Sequence, residues 1–159
     1  MQTHWTGCGT ALVTPFTRTG SLDETAIKRL VRRQIDGGAH FLVPCGTTGE
    51  SPTLSNAEKL RVVELVVDEA NGSVPVLAGA GSYSTSSALA LIDDMNTLGV
   101  NGILSVTPYY NKPTQEGLYQ HFETIASNTG LPIVVYNVPG RTGCNIAPQT
   151  VLRLSSIPN

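Results

Sequence analysis

A chain of 159 residues with ten basic and twelve acidic side chains has a formal net charge of −2, which excludes nucleic acid and acidic polymers as partners of choice. Only 14% of residues are charged, against the roughly 25% usual for globular chains, so large packed or subunit-facing surfaces and a multi-subunit assembly are expected. No apolar run approaches a membrane span, no secretory leader pattern opens the chain, and Cys8, Cys45 and Cys144 form no CxxC pair. The expectation is a cytoplasmic protein with reduced thiols, folded as one domain over 1–159.

Short apolar runs alternate with amphipathic stretches, and the repeat is about thirty residues, the size of a βα unit. The first strand is predicted at 10–13, followed by a turn at Gly20-Ser21 and a helix whose inward stripe is Ile27, Leu30, Val31 and Ile35. Gly37-Gly38 closes that helix, and a second strand follows at 41–45.

After the second strand comes Gly46-Thr47-Thr48-Gly49-Glu50-Ser51. Two glycines allow a tight fold in which N–H groups converge on a carboxylate, with two hydroxyls as further donors. The competing reading is a helix-entry turn with Ser/Thr capping. Ser55-Asn56-Ala57-Glu58 is a capping box opening the second helix, whose stripe is Leu60, Val63 and Val67 and whose end is Asn71-Gly72.

The third strand is predicted at 76–80 and runs into Gly79-Ala80-Gly81-Ser82, read as a tight turn because a dinucleotide loop needs a third glycine. Ala88, Leu91, Ile92, Met95 and Leu98 mark the third helix, which Gly99 ends. A fourth strand at 102–106 delivers Thr107-Pro108-Tyr109-Tyr110-Asn111-Lys112-Pro113, where one ring can pack across a subunit contact while the other presents its hydroxyl. Leu118, Phe122 and Ile125 form the fourth helix, and Thr129-Gly130 leads to a fifth strand at 133–137. Tyr136 and Arg141 leave that strand together, within Tyr136-Asn137-Val138-Pro139-Gly140-Arg141-Thr142-Gly143, and Pro148 opens the fifth helix.

Five βα units are compatible with part of a (β/α)₈ barrel or with an open doubly wound sheet, since both bury parallel strands on both faces. In either, side chains meet small molecules at the C-terminal ends of the strands. A phenol, a guanidinium and the Gly-Thr-Thr-Gly loop together suit carbonyl chemistry on small acids, with the guanidinium steering an acid and the phenol relaying protons.

These residues resemble one family along the whole chain: the pyruvate-dependent class I aldolases, and within them the 4-hydroxy-tetrahydrodipicolinate synthase (dihydrodipicolinate synthase) family. The hexapeptide 46–51 is shared across the superfamily, whereas 106–122 (VTPYYNKPTQEGLYQHF) and 136–144 (YNVPGRTGC) are specific to the synthase. The resemblance implies the first five βα units of a TIM barrel, truncated before strand six. It implies a lyase of lysine and diaminopimelate biosynthesis that condenses pyruvate with L-aspartate 4-semialdehyde through a lysine Schiff base, with no metal or other cofactor, in a homotetramer built as a dimer of dimers.

Carried over by position, Tyr136 is the proton donor and acceptor near the Schiff base, Thr47 relays protons to it, and Tyr110 completes the relay from the neighbouring subunit. Thr48 holds the pyruvate carboxylate and Arg141 recognises that of the semialdehyde. The family's Schiff-base lysine falls beyond Asn159, and Lys28 and Lys59 read as solvated helix residues, with Lys112 in a proline-flanked loop. The 159-residue polypeptide alone is therefore expected to be inactive. The alternatives are a sister aldolase acting on sialic or keto-deoxy-sugar acids, and a non-catalytic carboxylate-binding fragment. Lysine feedback is expected to be weak or absent, because the positions matching the family's feedback site are Asn56, Lys59, Tyr83 and Ser87, which bring a cation and no carboxylate.

Overall fold

The computed structural model describes residues 5–159; residues 1–4, the start of the expected domain, lie outside it. Five parallel strands, β1 (Gly9–Ala11), β2 (Phe41–Val43), β3 (Leu77–Gly79), β4 (Gly102–Val106) and β5 (Ile133–Tyr136), alternate with helices α1 (Glu24–Asp36), α2 (Asn56–Ala70), α3 (Thr85–Thr97) and α4 (Gln115–Ser127). Two helices follow β5: a single turn, α5 (Pro139–Thr142), and α6 (Pro148–Leu154).

The strand order decides between the two candidate architectures. β1 pairs with β2, and β3 with β4 and then β5, all in parallel. A parallel bridge between Leu42 and Val76, with Leu42 N–H donating to Pro75 O at 3.0 Å and Gly79 N–H to Pro44 O at 2.9 Å, joins the two sets. The wall therefore runs 1-2-3-4-5 without the reversal that defines a doubly wound sheet. The helices follow in the same order, α1 against α2, α2 against α3, α3 against α4 and α4 against α6. This is the first five βα units of a (β/α)₈ barrel.

Strand ends differ from the predicted ones for local reasons. β1 begins at Gly9, where the Phe41 ring occupies the space a Cβ would need. β2 stops at Val43 because Cys45 adopts φ 56°, a left-handed conformation that ends an extended ladder. The helix ends obey their sequence signals. Ser55 and Glu58 form the complete capping box of α2, and Asn71 caps its other end at φ 43°.

Val31, Leu42, Val63, Val66, Ile92, Met95 and Ile103 anchor the main core between the strands and α1 to α3, and a smaller cluster joins Leu118 and Phe122 to Ile146 and Leu154. Burial of such side chains contributes roughly 1.5–3 kcal/mol each. On the outside, Arg61 ties Glu24 of α1 to Glu64 of α2 at 2.7 Å, an exposed network that sets helix register more than stability. Among the described residues no helix is long and apolar enough to cross a membrane.

Candidate active site

β4 and β5 present alternate residues to two environments. Leu104, Val106 and Tyr136 line a cleft at the strands' C-terminal ends, whereas Ile133 and Val135 face Phe122, Ala126 and Leu154 on the helix side. The cleft, about 60 Å³, is completed by Cys45, Gly46, Thr47, Ser51, Lys59, Gly79 and Tyr109. A second and more open hollow of about 370 Å³ shares Thr47, Pro52, Val106 and Tyr109 with it and extends to Glu50, Val138, Arg141 and Thr142. Thr47, Tyr136 and Arg141, expected together from sequence, thus border one continuous depression, with Thr47 at the junction.

Local hydrogen bonds explain how each group is held. Thr107 N–H donates to Tyr136 O at 3.0 Å, which locks the end of β5 to β4. Beyond Tyr136, Asn137 Nδ2 donates to Asn145 Oδ1 at 2.7 Å, and Ile146 N–H donates to Asn137 Oδ1 at 3.3 Å. This clamp closes the loop that carries Arg141. The sequence reading names no helix between Tyr136 and Pro148; α5 lies there, where proline at its first turn and Gly143 at φ 68° make one helical turn. Arg141 sits exposed at its end.

The Gly-Thr-Thr-Gly loop is more self-contained than expected. Gly49 N–H donates to Gly46 O and Glu50 N–H to Thr47 O, both at 3.1 Å, so those two amides serve the loop's own turns. The amides of Thr47 and Thr48 make no such bond among the described residues. Thr48 itself is exposed and borders neither hollow.

The two adjacent tyrosines part company. Tyr109 lines the cleft and stacks edge-on against Tyr83 with ring centroids 5.7 Å apart; burial, and then Tyr83, push its phenol pKa up. Tyr110 is 89% exposed at φ 74° and does not reach the cleft of its own chain. Positive φ in a bulky aromatic residue is strained, by about 1–3 kcal/mol, and marks a position with a reason to be there.

Two cleft residues were missed by sequence reasoning. Tyr109 was not separated from Tyr110, because adjacency gives no direction. Lys59 was read as solvated, yet it is half-buried and lines the cleft next to Cys45, whose thiol burial pushes up to about 12. Lys112 is exposed, its stem lying over Gly143 beside the Arg141 turn. Among the described residues no group of three or more His, Cys, Asp or Glu is placed to hold a metal ion.

The model of the dihydrodipicolinate synthetase family matches residues 4–159. The chain belongs to that family. It is 53% identical over 149 residues to the 4-hydroxy-tetrahydrodipicolinate synthase of Chloroherpeton thalassium, an overlap of 94% of this chain and 49% of that protein. Among solved structures, the chloride-inhibited dihydrodipicolinate synthase from Acinetobacter baumannii complexed with pyruvate superposes with a TM-score of 0.95 at 45% identity, over 96% of this chain and 53% of that one. The enzyme from Cyanidioschyzon merolae with lysine bound gives 0.93 at 38%, over 98% and 53%. The chain spans about half the length of the curated relatives it matches.

Proposed function

We propose that these residues supply the acid-base and recognition half of a 4-hydroxy-tetrahydrodipicolinate synthase, a cytoplasmic lyase that condenses pyruvate with L-aspartate 4-semialdehyde for lysine and diaminopimelate synthesis. One observation carries the reading: Thr47 and Tyr136 border one cleft, and Arg141 borders its open continuation.

A lysine amine attacks the pyruvate carbonyl, water leaves, and the iminium draws electrons from the methyl group, whose carbon then attacks the aldehyde. Tyr136 donates and accepts the protons of these steps, with Thr47 relaying them. A phenol titrating near pH 10 works as a relay rather than as a lone base. Thr48, with its amide and that of Thr47, holds the pyruvate carboxylate, and Arg141 receives the carboxylate of the semialdehyde as a bidentate partner. Tyr110, exposed and strained, completes the relay in the cleft of a neighbouring subunit, within a homotetramer arranged as a dimer of dimers.

The three lysines of the sequence, Lys28, Lys59 and Lys112, stand on two helices and a loop. None occupies a strand of the barrel, so the Schiff-base amine comes from outside these 159 residues and the isolated polypeptide does not turn over. Borohydride reduction in the presence of pyruvate tests the assignment by mass spectrometry. A protein with the complete barrel gains one covalent pyruvate adduct, while the 159-residue polypeptide gains none and binds pyruvate reversibly. An adduct on any of the three lysines, or synthase turnover by polypeptide of verified mass, overturns the reading.

A further inference from the structure

Residues 137–154 carry Arg141 away from β5 and contain only two short helices, α5 of four residues and α6 of seven. Helices of this length do not hold themselves in water, and neither N-cap residue, Val138 or Ala147, caps its helix with a side chain. Arg141 forms no ion pair among the described residues, so the aim of its guanidinium depends on the backbone beneath it. That backbone is fixed from another element.

Gln115, the first residue of α4, supplies the hold. Its Nε2 donates to Asn145 O at 2.7 Å, and its Oε1 accepts from the Ala147 amide at 2.8 Å and from the Thr150 hydroxyl at 2.7 Å. One amide side chain thus caps the start of α6 in place of alanine and grips the chain two residues earlier. Asn145 is held a second time, its Oδ1 accepting from Asn137 Nδ2 at 2.7 Å. Beside it, Cys144 Sγ lies 3.3 Å from Pro108 O, in the loop that runs from β4 to Gln115. The segment after β5 is therefore fastened to the fourth βα unit at two points.

We propose that Gln115 is a positioning residue for substrate recognition: through Asn145 and the start of α6 it fixes the path of the loop that carries Arg141, and so the direction from which the guanidinium meets a carboxylate. This role takes Arg141 as the partner of the semialdehyde, as proposed above. Bidentate pairing of a guanidinium with a carboxylate is directional, so a loop that wanders weakens recognition of that substrate. Pyruvate, assigned to other residues, is affected less.

Hydrogen exchange read by mass spectrometry, together with steady-state kinetics, tests the role in a complete barrel. Gln115 is exposed, so its replacement leaves the core intact. Gln115→Met keeps the length of the side chain and removes all three hydrogen bonds, whereas Gln115→Glu keeps the two that Oε1 accepts and loses the one that Nε2 donates. In Gln115→Met, exchange over 138–147 accelerates by about threefold or more while exchange over 76–82, which spans β3, accelerates less, the mark of local opening. The same variant raises the KM for the semialdehyde by about threefold or more and that for pyruvate by less, and Gln115→Glu has the smaller effect on both readouts. Less than a threefold change in exchange or in semialdehyde KM, equal acceleration of the two segments, equal rises for the two substrates, or a Gln115→Glu protein as impaired as Gln115→Met overturns the role. Arg141→Ala, run beside them, separates the two levels. If it leaves the semialdehyde KM unaltered, the assignment of Arg141 fails; if it raises that KM and Gln115→Met does not, only the role of Gln115 fails.

Discussion

Thr14, just past β1, donates its hydroxyl to the carbonyl of Gly49 at 2.7 Å, tying the Gly-Thr-Thr-Gly loop of the second βα unit to the first. Thr14 is buried, and a Cβ on Gly49 would meet Leu12 O at 3.0 Å and Thr14 Oγ1 at 3.2 Å. The loop that carries Thr47 and Thr48 is thus seated on a neighbouring unit, not free over the barrel mouth. Thr14→Val keeps the shape and leaves the Gly49 carbonyl buried without its donor, a change that costs about 1–3 kcal/mol. Urea unfolding measures the loss, and, under the role proposed for the Thr47 and Thr48 amides, weaker reversible pyruvate binding accompanies it.

Three glycine substitutions separate close approach from backbone conformation. At Gly79 an added Cβ would lie 2.1 Å from Cys45 O, so Gly79→Ala forces β2 and β3 apart and costs about 3 kcal/mol or prevents folding. Gly72 has open space around it but φ +72°, so Gly72→Ala costs about 1 kcal/mol from strain alone. Gly130 has open space and no positive φ, and Gly130→Ala is neutral or stabilising by up to about 1 kcal/mol through the unfolded chain. Thermal midpoints of the three variants should rank in that order, with Gly79→Ala lowest.

Those glycines also show how much of the molecule was legible in the sequence. Helix stripes, the Ser55 capping box and the strand centres follow from apolar spacing and capping chemistry, which act within a few residues. The sequence reads Gly79-Ala80-Gly81 as a tight turn, whereas Gly79 ends β3 and the glycines serve long-range contacts: Gly79 admits the Cys45 carbonyl, and Gly81 admits Val106. The barrel-like strand order was invisible to periodicity and entered only through family resemblance. Tyr109 and Tyr110 differ by the positive φ of one of them, and Lys59 lines the cleft from a position whose helical spacing reads as solvated, so neither placement is written in local composition.

His121 of α4 is buried, with Nδ1 hydrogen-bonded to Thr85 Oγ1 at 2.8 Å and Nε2 without a partner among the described residues. Burial pushes its pKa down to about 4, whereas in the unfolded chain it titrates near 6.5. Between those values the unfolded state binds a proton that the fold refuses, so stability is fully present above pH 6.5 and falls as pH drops toward 4. The loss is roughly 1–3 kcal/mol after allowance for solvent screening. Glu24, Glu58 and Glu116, whose pKa values are lowered, act below about 4.5 and leave the upper window to His121. Urea midpoints at pH 7 and pH 5 should differ in the unaltered protein, and His121→Gln should remove most of that difference.

Within a complete barrel, the proposed roles divide kinetic parameters. Tyr136→Phe removes the relaying hydroxyl and lowers kcat by about 10²–10⁴-fold while pyruvate binding changes little. Arg141→Ala removes a charged recognition partner at the rim and raises KM for the semialdehyde at least tenfold, leaving KM for pyruvate near its original value. Steady-state kinetics with each substrate varied in turn reads both patterns. A Tyr136→Phe enzyme with unchanged kcat, or an Arg141→Ala enzyme whose pyruvate KM rises instead, contradicts the assignment.

Feedback by free lysine follows from the charge of the same region. Lys59 lines the cleft, Tyr83, a residue 55% exposed, stacks on Tyr109, and Ser87 stands in the first turn of α3, its amide donating to Ser84 Oγ at 3.4 Å. An ε-ammonium entering here meets a like charge at Lys59 and no carboxylate at position 87, and at a few ångströms that repulsion exceeds what neutral hydroxyls return. The complete enzyme should therefore keep most of its activity in millimolar L-lysine. Lys59→His with Ser87→Glu removes the repulsion, supplies a counter-charge and should introduce inhibition in that range. Half-inhibition of the unaltered enzyme by L-lysine below a millimolar counts decisively against this expectation.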